Sequence, residues 1–269
     1  MPRIKLIVEY DGTRYVGWQV QANGPSVHRE LERGLAKLLG EDVAIAAAAR
    51  TDSGVHAVGQ VVCFSTSRSL PLKAYWMGLN NLLPQDIAAI GAEEVSEDFD
   101  PRRLARGKRY RYLIFNRRTP SPLRRHSHWQ IFQPLDVPAM QAGAAFLVGR
   151  YDFSAFRAAD CQASHPVREL RVVTVGGRVG EEIVFDVEGT AFLKHMVRNI
   201  VGTLVEVGKR RRKVEWVKET LESKDRGRAG PTAPPQGLTL VEVLYMPGRD
   251  SASGMQAEET AEEPPPVES

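Results

Sequence analysis

The sequence predicts an α+β fold made of two similar halves, each a mostly antiparallel sheet flanked by helices. Three observations carry that reading. Short segments in which apolar and polar residues alternate recur along the chain, the two-residue period of a strand with one buried face. Between them lie longer segments with apolar residues every three or four positions, the period of an amphipathic helix. Finally, 269 residues with 42% hydrophobic content suffice for two cores of ordinary domain size, roughly 100 to 200 residues each.

Ile4 to Tyr10 alternates and reads as a strand, ended by a turn at Asp11 and Gly12. Ser26 caps a helix whose apolar stripe is Val27, Leu31, Leu35, Leu38 and Leu39 and which Gly40 closes. Gln60 to Thr66 is a second strand, followed by a helix through Leu72 to Leu83 and a strand near Ile87 to Val95. In Lys108 to Asn116, Tyr110, Tyr112 and Ile114 share one strand face while Arg109, Arg111 and Leu113 share the other. A loop rich in Pro, Arg and His runs from Asn116 to His128. A helix from Asp136 to Val148 follows, then strands at Leu170 to Val175 and Glu182 to Val187. The pattern ends with a helix from Phe192 to Val207, a shorter one near Val214 to Ser223, and a strand from Leu238 to Met246.

The halves meet near residues 100 to 110, which gives an N-terminal domain over 1–105 and a C-terminal domain over 106–248. They match in order of elements, not in sequence. Residues 249–269 are rich in Ser, Ala, Glu and Pro with almost no bulky apolar side chains. Such a segment cannot offset the entropy of ordering, so it is expected to be a disordered acidic tail.

Charge and cysteine content narrow the function classes. The formal net charge of +3 conceals an asymmetry: without Arg249 and the six acidic groups of the tail, 35 basic and 27 acidic residues remain. A body that basic suits a polyanionic partner such as nucleic acid, and equally describes a solvated surface with surplus Lys and Arg. Cys63 and Cys161 are too few for a disulfide framework and have no metal-ligand spacing. The triplet His126, Ser127, His128 lacks a nearby acidic or Cys partner, so no metal site is expected. No apolar run reaches the roughly 20 residues of a membrane span, and Ile4 to Val8 is too short for a signal segment. A cytoplasmic protein is expected.

The most informative segment is Arg50, Thr51, Asp52, Ser53, Gly54, Val55, His56. It sets one carboxylate near a guanidinium on a tight turn, although Asp-Ser-Gly is also an ordinary turn sequence. A second arginine, Arg198, lies on a largely apolar helix and needs a partner. That partner is either a surface carboxylate, in a contact worth about 0 to 1 kcal/mol, or Asp52.

Together these segments resemble the tRNA pseudouridine synthase A family. The resemblance rests on Asp11, Gly12, Thr13 and Gly17, Trp18, Gln19; on the Arg50 to His56 segment with Gly59, Gln60, Val61; and on Leu79, Asn80, Leu83, Pro84, Asp86 and Ile87. It continues through Lys108, Tyr110 and Tyr112; Asp152, Phe153, Ala155 and Phe156; Phe192, Leu193 and Met196 to Gly202; and Ala233, Pro234, Gly237 and Leu238. These matches span about residues 4 to 246. Ala49 stands where the family often has Gly or Ser, and Lys194 where His is frequent.

The resemblance implies the pseudouridine synthase fold, with an active-site cleft between the two subdomains, and conversion of uridine to pseudouridine at positions 38, 39 and 40 of the tRNA anticodon arm. It implies a homodimer. The reaction detaches uracil from ribose C1′, turns it over, and rejoins it through C5, with no redox step and no cofactor or metal required. By resemblance Asp52 is the nucleophile, on C1′ of the ribose or C6 of the uracil. Arg198 is the adjacent cation that holds the carboxylate in its charged form. Tyr110 stacks on the target uracil and is a candidate to remove the C5 proton, although a phenol with an ordinary pKa of about 10 is a poor base. Arg50 fills the space the extruded base leaves. Leu238 forms part of the apolar pocket wall.

Outside the pocket, Arg102, Arg103, Arg106, Lys108, Arg109, Arg111, Arg117, Arg118, Arg124, Arg125, His126, His128 and the Lys209 to Lys213 run are expected to hold RNA through phosphates. The rival reading is a basic tRNA-binding module or RNA chaperone without catalysis, against which the joint presence of Asp52, Tyr110 and Arg198 argues. A serine hydrolase lacks the Gly-x-Ser-x-Gly elbow it needs.

Overall fold

The computed structural model describes residues 1–178 and 180–246; the tail expected to be disordered lies outside them. Ten strands form one sheet: β1 (Arg3–Tyr10), β2 (Ala46–Ala47), β3 (His56–Ser65), β4 (Ile87–Val95), β5 (Gly107–Asn116), β6 (Trp129–Ile131), β7 (Gly149–Asp152), β8 (Val167–Gly177), β9 (Glu182–Gly189) and β10 (Leu238–Leu244). Among the described residues four α-helices accompany it: α1 (Val27–Leu39), α2 (Val137–Ala145), α3 (Met196–Gly208) and α4 (Trp216–Ser223). The expected class, a mostly antiparallel sheet with helices, is what the chain forms.

The strand order is β4-β1-β3-β10-β5-β9-β8-β7, with β2 added to β3 and β6 to β5. Pairing is antiparallel except between β10 and β3 and between β5 and β6. The two halves thus share one sheet. The joint is the C-terminal strand: β10 pairs in parallel with β3, Thr239 opposite His56, and antiparallel with β5, Leu240 opposite Tyr110. One hydrophobic cluster runs through both halves, from Leu6 and Leu35 to Phe185 and Val217.

Local chemistry sets the elements. Ser26 accepts a bond from the Arg29 N–H at the start of α1, and Gly40 ends it in the left-handed region. The buried stripe of α1 is Val27, Leu31, Leu35 and Leu39, each side chain contributing about 1.5 to 3 kcal/mol on burial. Asp136 caps α2 through the Ala139 N–H. On β5, Tyr110, Tyr112 and Ile114 are buried as the alternation requires.

Several boundaries differ from expectation. β3 begins at His56 rather than Gln60, and α3 begins at Met196 rather than Phe192 because His195 takes a left-handed conformation, φ 61°. The helix expected over 72–83 contains a π-helical turn at Ala74–Gly78, with Tyr75 buried and its hydroxyl donating to the Arg68 carbonyl. β2, β6 and β7 are too short to leave a periodic signal. Among the described residues no helix is long and apolar enough to cross a membrane.

Candidate active site

The turn before β3 is pinned from several sides. Asp52 bridges Gly17, the Trp18 N–H donates to the Thr51 carbonyl at 3.0 Å, and the Val55 N–H donates to the Asp52 carbonyl at 3.1 Å. Position 17 requires glycine: its φ is +109°, and a Cβ there would stand 2.7 Å from the Thr51 carbonyl oxygen. The Tyr10 hydroxyl and Thr51 Oγ1 share a bond of 2.8 Å. The buried Gln60 amide brackets Ala49, accepting from its N–H at 3.3 Å and donating to its carbonyl at 2.8 Å. His56 accepts from the Gly12 N–H at Nδ1, 3.0 Å, and Nε2 donates to the Gln236 carbonyl at 3.1 Å. These bonds fix the backbone that carries Asp52.

Arg198 reaches Asp52 from the first turn of α3. Its Nη1 donates to Asp52 Oδ2 at 3.1 Å and its Nε to the Ala233 carbonyl at 2.8 Å, while the Ala233 N–H donates to the Arg198 carbonyl at 3.1 Å. The segment 230–237 lies hard against α3 at Gly202, where a Cβ would fall 1.7 Å from the Pro231 carbonyl oxygen. Asn199, fully buried, ties the same region together. Its Oδ1 accepts from Thr232 Oγ1 and Arg226 Nη2, and its Nδ2 donates to the Phe156 carbonyl. The Arg198 side chain is 12% exposed and that of Asp52 26%, so the pair is sheltered yet open to a ligand.

His195 Nε2 stands 3.5 Å from the same Asp52 Oδ2. Burial holds the His195 ring below its ordinary pKa, outweighing the opposite pull of Asp52, and Arg198 and Lys194 add to the lowering. Both basic contacts are shortest to Oδ2, and no side-chain hydrogen bond among the described residues falls on Oδ1.

Tyr110 lies in the middle of β5, between Val187 of β9 and Leu240 of β10, and packs edge-on against Phe192 with centroids 4.9 Å apart. Burial, then Tyr10 and the charge of Asp52, push its phenol far above the ordinary value, so it is neutral. Leu238, buried at the start of β10, pairs with Tyr112. Arg50 is exposed and makes no ion pair among the described residues. All five residues singled out from the sequence, Arg50, Asp52, Tyr110, Arg198 and Leu238, line one cleft of about 1330 Å³. Among the described residues no cluster of three or more His, Cys, Asp or Glu is placed to hold a metal.

Much of the positive charge expected to face RNA is already engaged. Arg109 pairs with Glu188 and Glu242, and Arg111 with Asp186, as cross-strand partners on the face opposite Tyr110. Arg117 and Arg124 lie over the Phe115 ring, and His128 bonds Glu182 at 2.6 Å. Lys209 and Arg211 meet Glu206, and Arg210 meets Asp136. The cleft itself keeps Arg50, Arg102, Lys108 and Arg168 without an ion pair among the described residues.

A family model described as tRNA pseudouridine synthase matches residues 6–102 and 144–246. The chain belongs to the tRNA pseudouridine synthase family. A tRNA pseudouridine synthase A from Myxococcus xanthus is 66% identical over 248 residues, 92% of this chain and 94% of its own length. Proteins of the same name from Geotalea uraniireducens and Pelobacter propionicus are each 51% identical over 245 residues, 91% of this chain and 100% of theirs. Within the tRNA pseudouridine synthase match, Asp52 falls in the first segment and Arg198 and Leu238 in the second, while Tyr110 lies between them.

Sequence reasoning missed His195, Phe192 as the partner of Tyr110, and Asn199 as the tie between α3 and the segment before β10. A single His one residue before an apolar helix carries no local signal. Only the meeting of α3 with the Asp52 turn, a contact made through tertiary structure, reveals it.

Proposed function

We propose that this chain converts uridine to pseudouridine in tRNA, at positions 38, 39 and 40 of the anticodon arm, with Asp52 as the nucleophile. The observation that carries the reading is the ion pair between Asp52 and Arg198 inside a cleft that also holds Tyr110 and Leu238. Arg198 occupies Oδ2 and leaves Oδ1 to attack C1′ of the ribose or C6 of the uracil. Because the guanidinium is also bonded to the Ala233 carbonyl, the carboxylate is oriented before substrate arrives, which is how a fixed dipole or charge contributes most.

The target base must leave its stack, at a cost of a few kcal/mol. In this reading Tyr110 stacks on the extruded uracil, Leu238 walls the pocket, and Arg50, free at the rim, fills the vacated space. A neutral, deeply buried phenol suits stacking and does not suit proton abstraction. Unpaired cleft cations, Arg102, Lys108 and Arg168, hold phosphates, so the shape of the arm selects the substrate. The unit 1–105 brings Asp52 and the unit 106–248 brings Tyr110, Arg198 and Leu238; the protein works in the cytoplasm as a homodimer.

Mass-spectrometric mapping of tRNA incubated with the purified chain tests this. Pseudouridine at positions 38 to 40 supports it. Tight tRNA binding without any pseudouridine makes the chain a basic RNA-binding module instead.

A further inference from the structure

We propose that His195 is the acceptor of the C5 proton in the final step of this isomerisation, a catalytic role that rests on the function proposed above. Whichever atom Asp52 attacks, rejoining through C5 leaves that carbon bonded to C1′, C4, C6 and hydrogen. Loss of the hydrogen as a proton returns the C–H pair to the C5=C6 bond. On the C1′ route the pair of the C6=N1 bond then moves to N1, which takes a proton from water; on the C6 route N1 already carries its proton, and the same C–H pair expels the Asp52 carboxylate from C6. No atom or electron is lost, but the step needs a base beside the turned uracil.

The cleft offers few candidates. Arg198 is a cation engaged with Asp52 and Ala233. Lys194 is tied to Asp160 at 2.5 Å, which holds its ammonium charged. The Tyr110 phenol is neutral and buried, with its pKa displaced away from usefulness. Lys108 is lowered by burial and by Arg102 but starts from 10.5 and makes no contact with Asp52. Asp52 is a free carboxylate at this point only on the C1′ route and is still bonded to C6 on the other, and a carboxylate is by nature a weaker base than an imidazole.

His195 combines what the others lack. Its ring is partly exposed to the cleft, 29%, and lies 3.5 Å from Asp52 Oδ2, too far for a hydrogen bond that would lock it. The ring does not cap α3, although the residue occupies the capping position. Its backbone is left-handed, φ 61°, a conformation uncommon outside Gly that Asn, Asp and His enter more readily than other residues, and residues held there cluster at functional sites. The charged groups that face it are Asp52 from the turn before β3, Arg198 from α3, Lys194 beside it, and Asp160 from the loop after Phe156. Their balance, with burial, leaves the imidazole neutral and ready to accept a proton at neutral pH.

The experiment is single-turnover pseudouridine formation by the full chain on tRNA carrying hydrogen or deuterium at uridine C5. The parent is compared with His195→Asn, whose asparagine tolerates the left-handed backbone, with His195→Gln, and with Tyr110→Phe. Removal of a general base predicts a fall on the order of 10²-fold in kcat, little change in KM, and a deuterium isotope effect larger than the parent's. His195→Gln keeps the test decisive if the asparagine variant folds poorly. A His195 variant at the parental rate, a slow one with no added isotope effect, or an isotope effect that appears in Tyr110→Phe instead overturns the assignment. An inactive parent overturns the function itself and this proposal with it.

Discussion

Arg198 and Asp52 lie 146 residues apart in the chain and 3.1 Å apart in space. The contact closes only because β10 enters the sheet between β3 and β5, so that the segment leading into β10 packs on α3 and presents the Ala233 carbonyl to the Arg198 Nε. Fold and site therefore depend on the same long-range pairing.

Replacing the guanidinium tests that coupling. Arg198→Met strands a carboxylate and frees the Ala233 carbonyl. Losing one partner of a fully buried pair costs about 3 to 5 kcal/mol, but Asp52 is 26% exposed, so a loss of about 1 to 3 kcal/mol is expected after solvent screening. Denaturant melts measure it. Arg198→Lys is expected to recover little activity, since an ammonium cannot serve Oδ2 and the carbonyl with one planar fork.

Gly202→Ala probes the same region without touching a charge. The added methyl meets the Pro231 carbonyl at 1.7 Å, so the segment before β10 must move off α3, at a cost of about 1 to 3 kcal/mol or more. The variant is expected to lose pseudouridine formation beyond its loss of stability, because Ala233 moves with the segment. Thermal melting and turnover measured on one preparation check both.

Acid should weaken the fold through His195. Its folded pKa lies below the ordinary 6.5, so the unfolded chain binds more protons between the two values and stability rises with pH there. The contribution is complete above about pH 6.5 and is lost as pH falls through the folded value. Comparing parent and His195→Asn in urea melts across this window should show a shallower acid slope in the variant.

Salt separates free from engaged cations. tRNA affinity is expected to fall with salt, with a log-log slope of about 0.7 to 0.9 per phosphate contact. Lys108→Met, which removes a cleft cation without an ion pair, should reduce that slope by about one contact. Arg109→Met, which removes a group held by Glu188 and Glu242, should leave it unchanged. Filter binding from low to physiological salt distinguishes them.

What the sequence made legible follows from which interactions are local. β1, α1 and β5 each bury one face, so their periods of two or 3.6 survive in the order of residues, and Ser26 caps its helix through a bond three residues away. The π-turn at Ala74–Gly78 has no period of its own, and β7 takes its place by pairing with β8 over four residues. The insertion of β10 between β3 and β5 is a purely tertiary choice, which is why two sheets are read where one forms. In the site, Asp52 and Arg198 could be paired in advance only through likeness to a family. His195 could not, because its left-handed backbone and its distance to Asp52 exist only once α3 has docked.

The central claim is that Asp52 is the reacting group, and Asp52→Asn tests it most directly. The substitution keeps the size of the side chain and removes its charge, so the variant should bind tRNA nearly as well as the parent. In mass-spectrometric mapping it should form no pseudouridine at positions 38 to 40. Turnover at the parental rate in that variant would contradict the account.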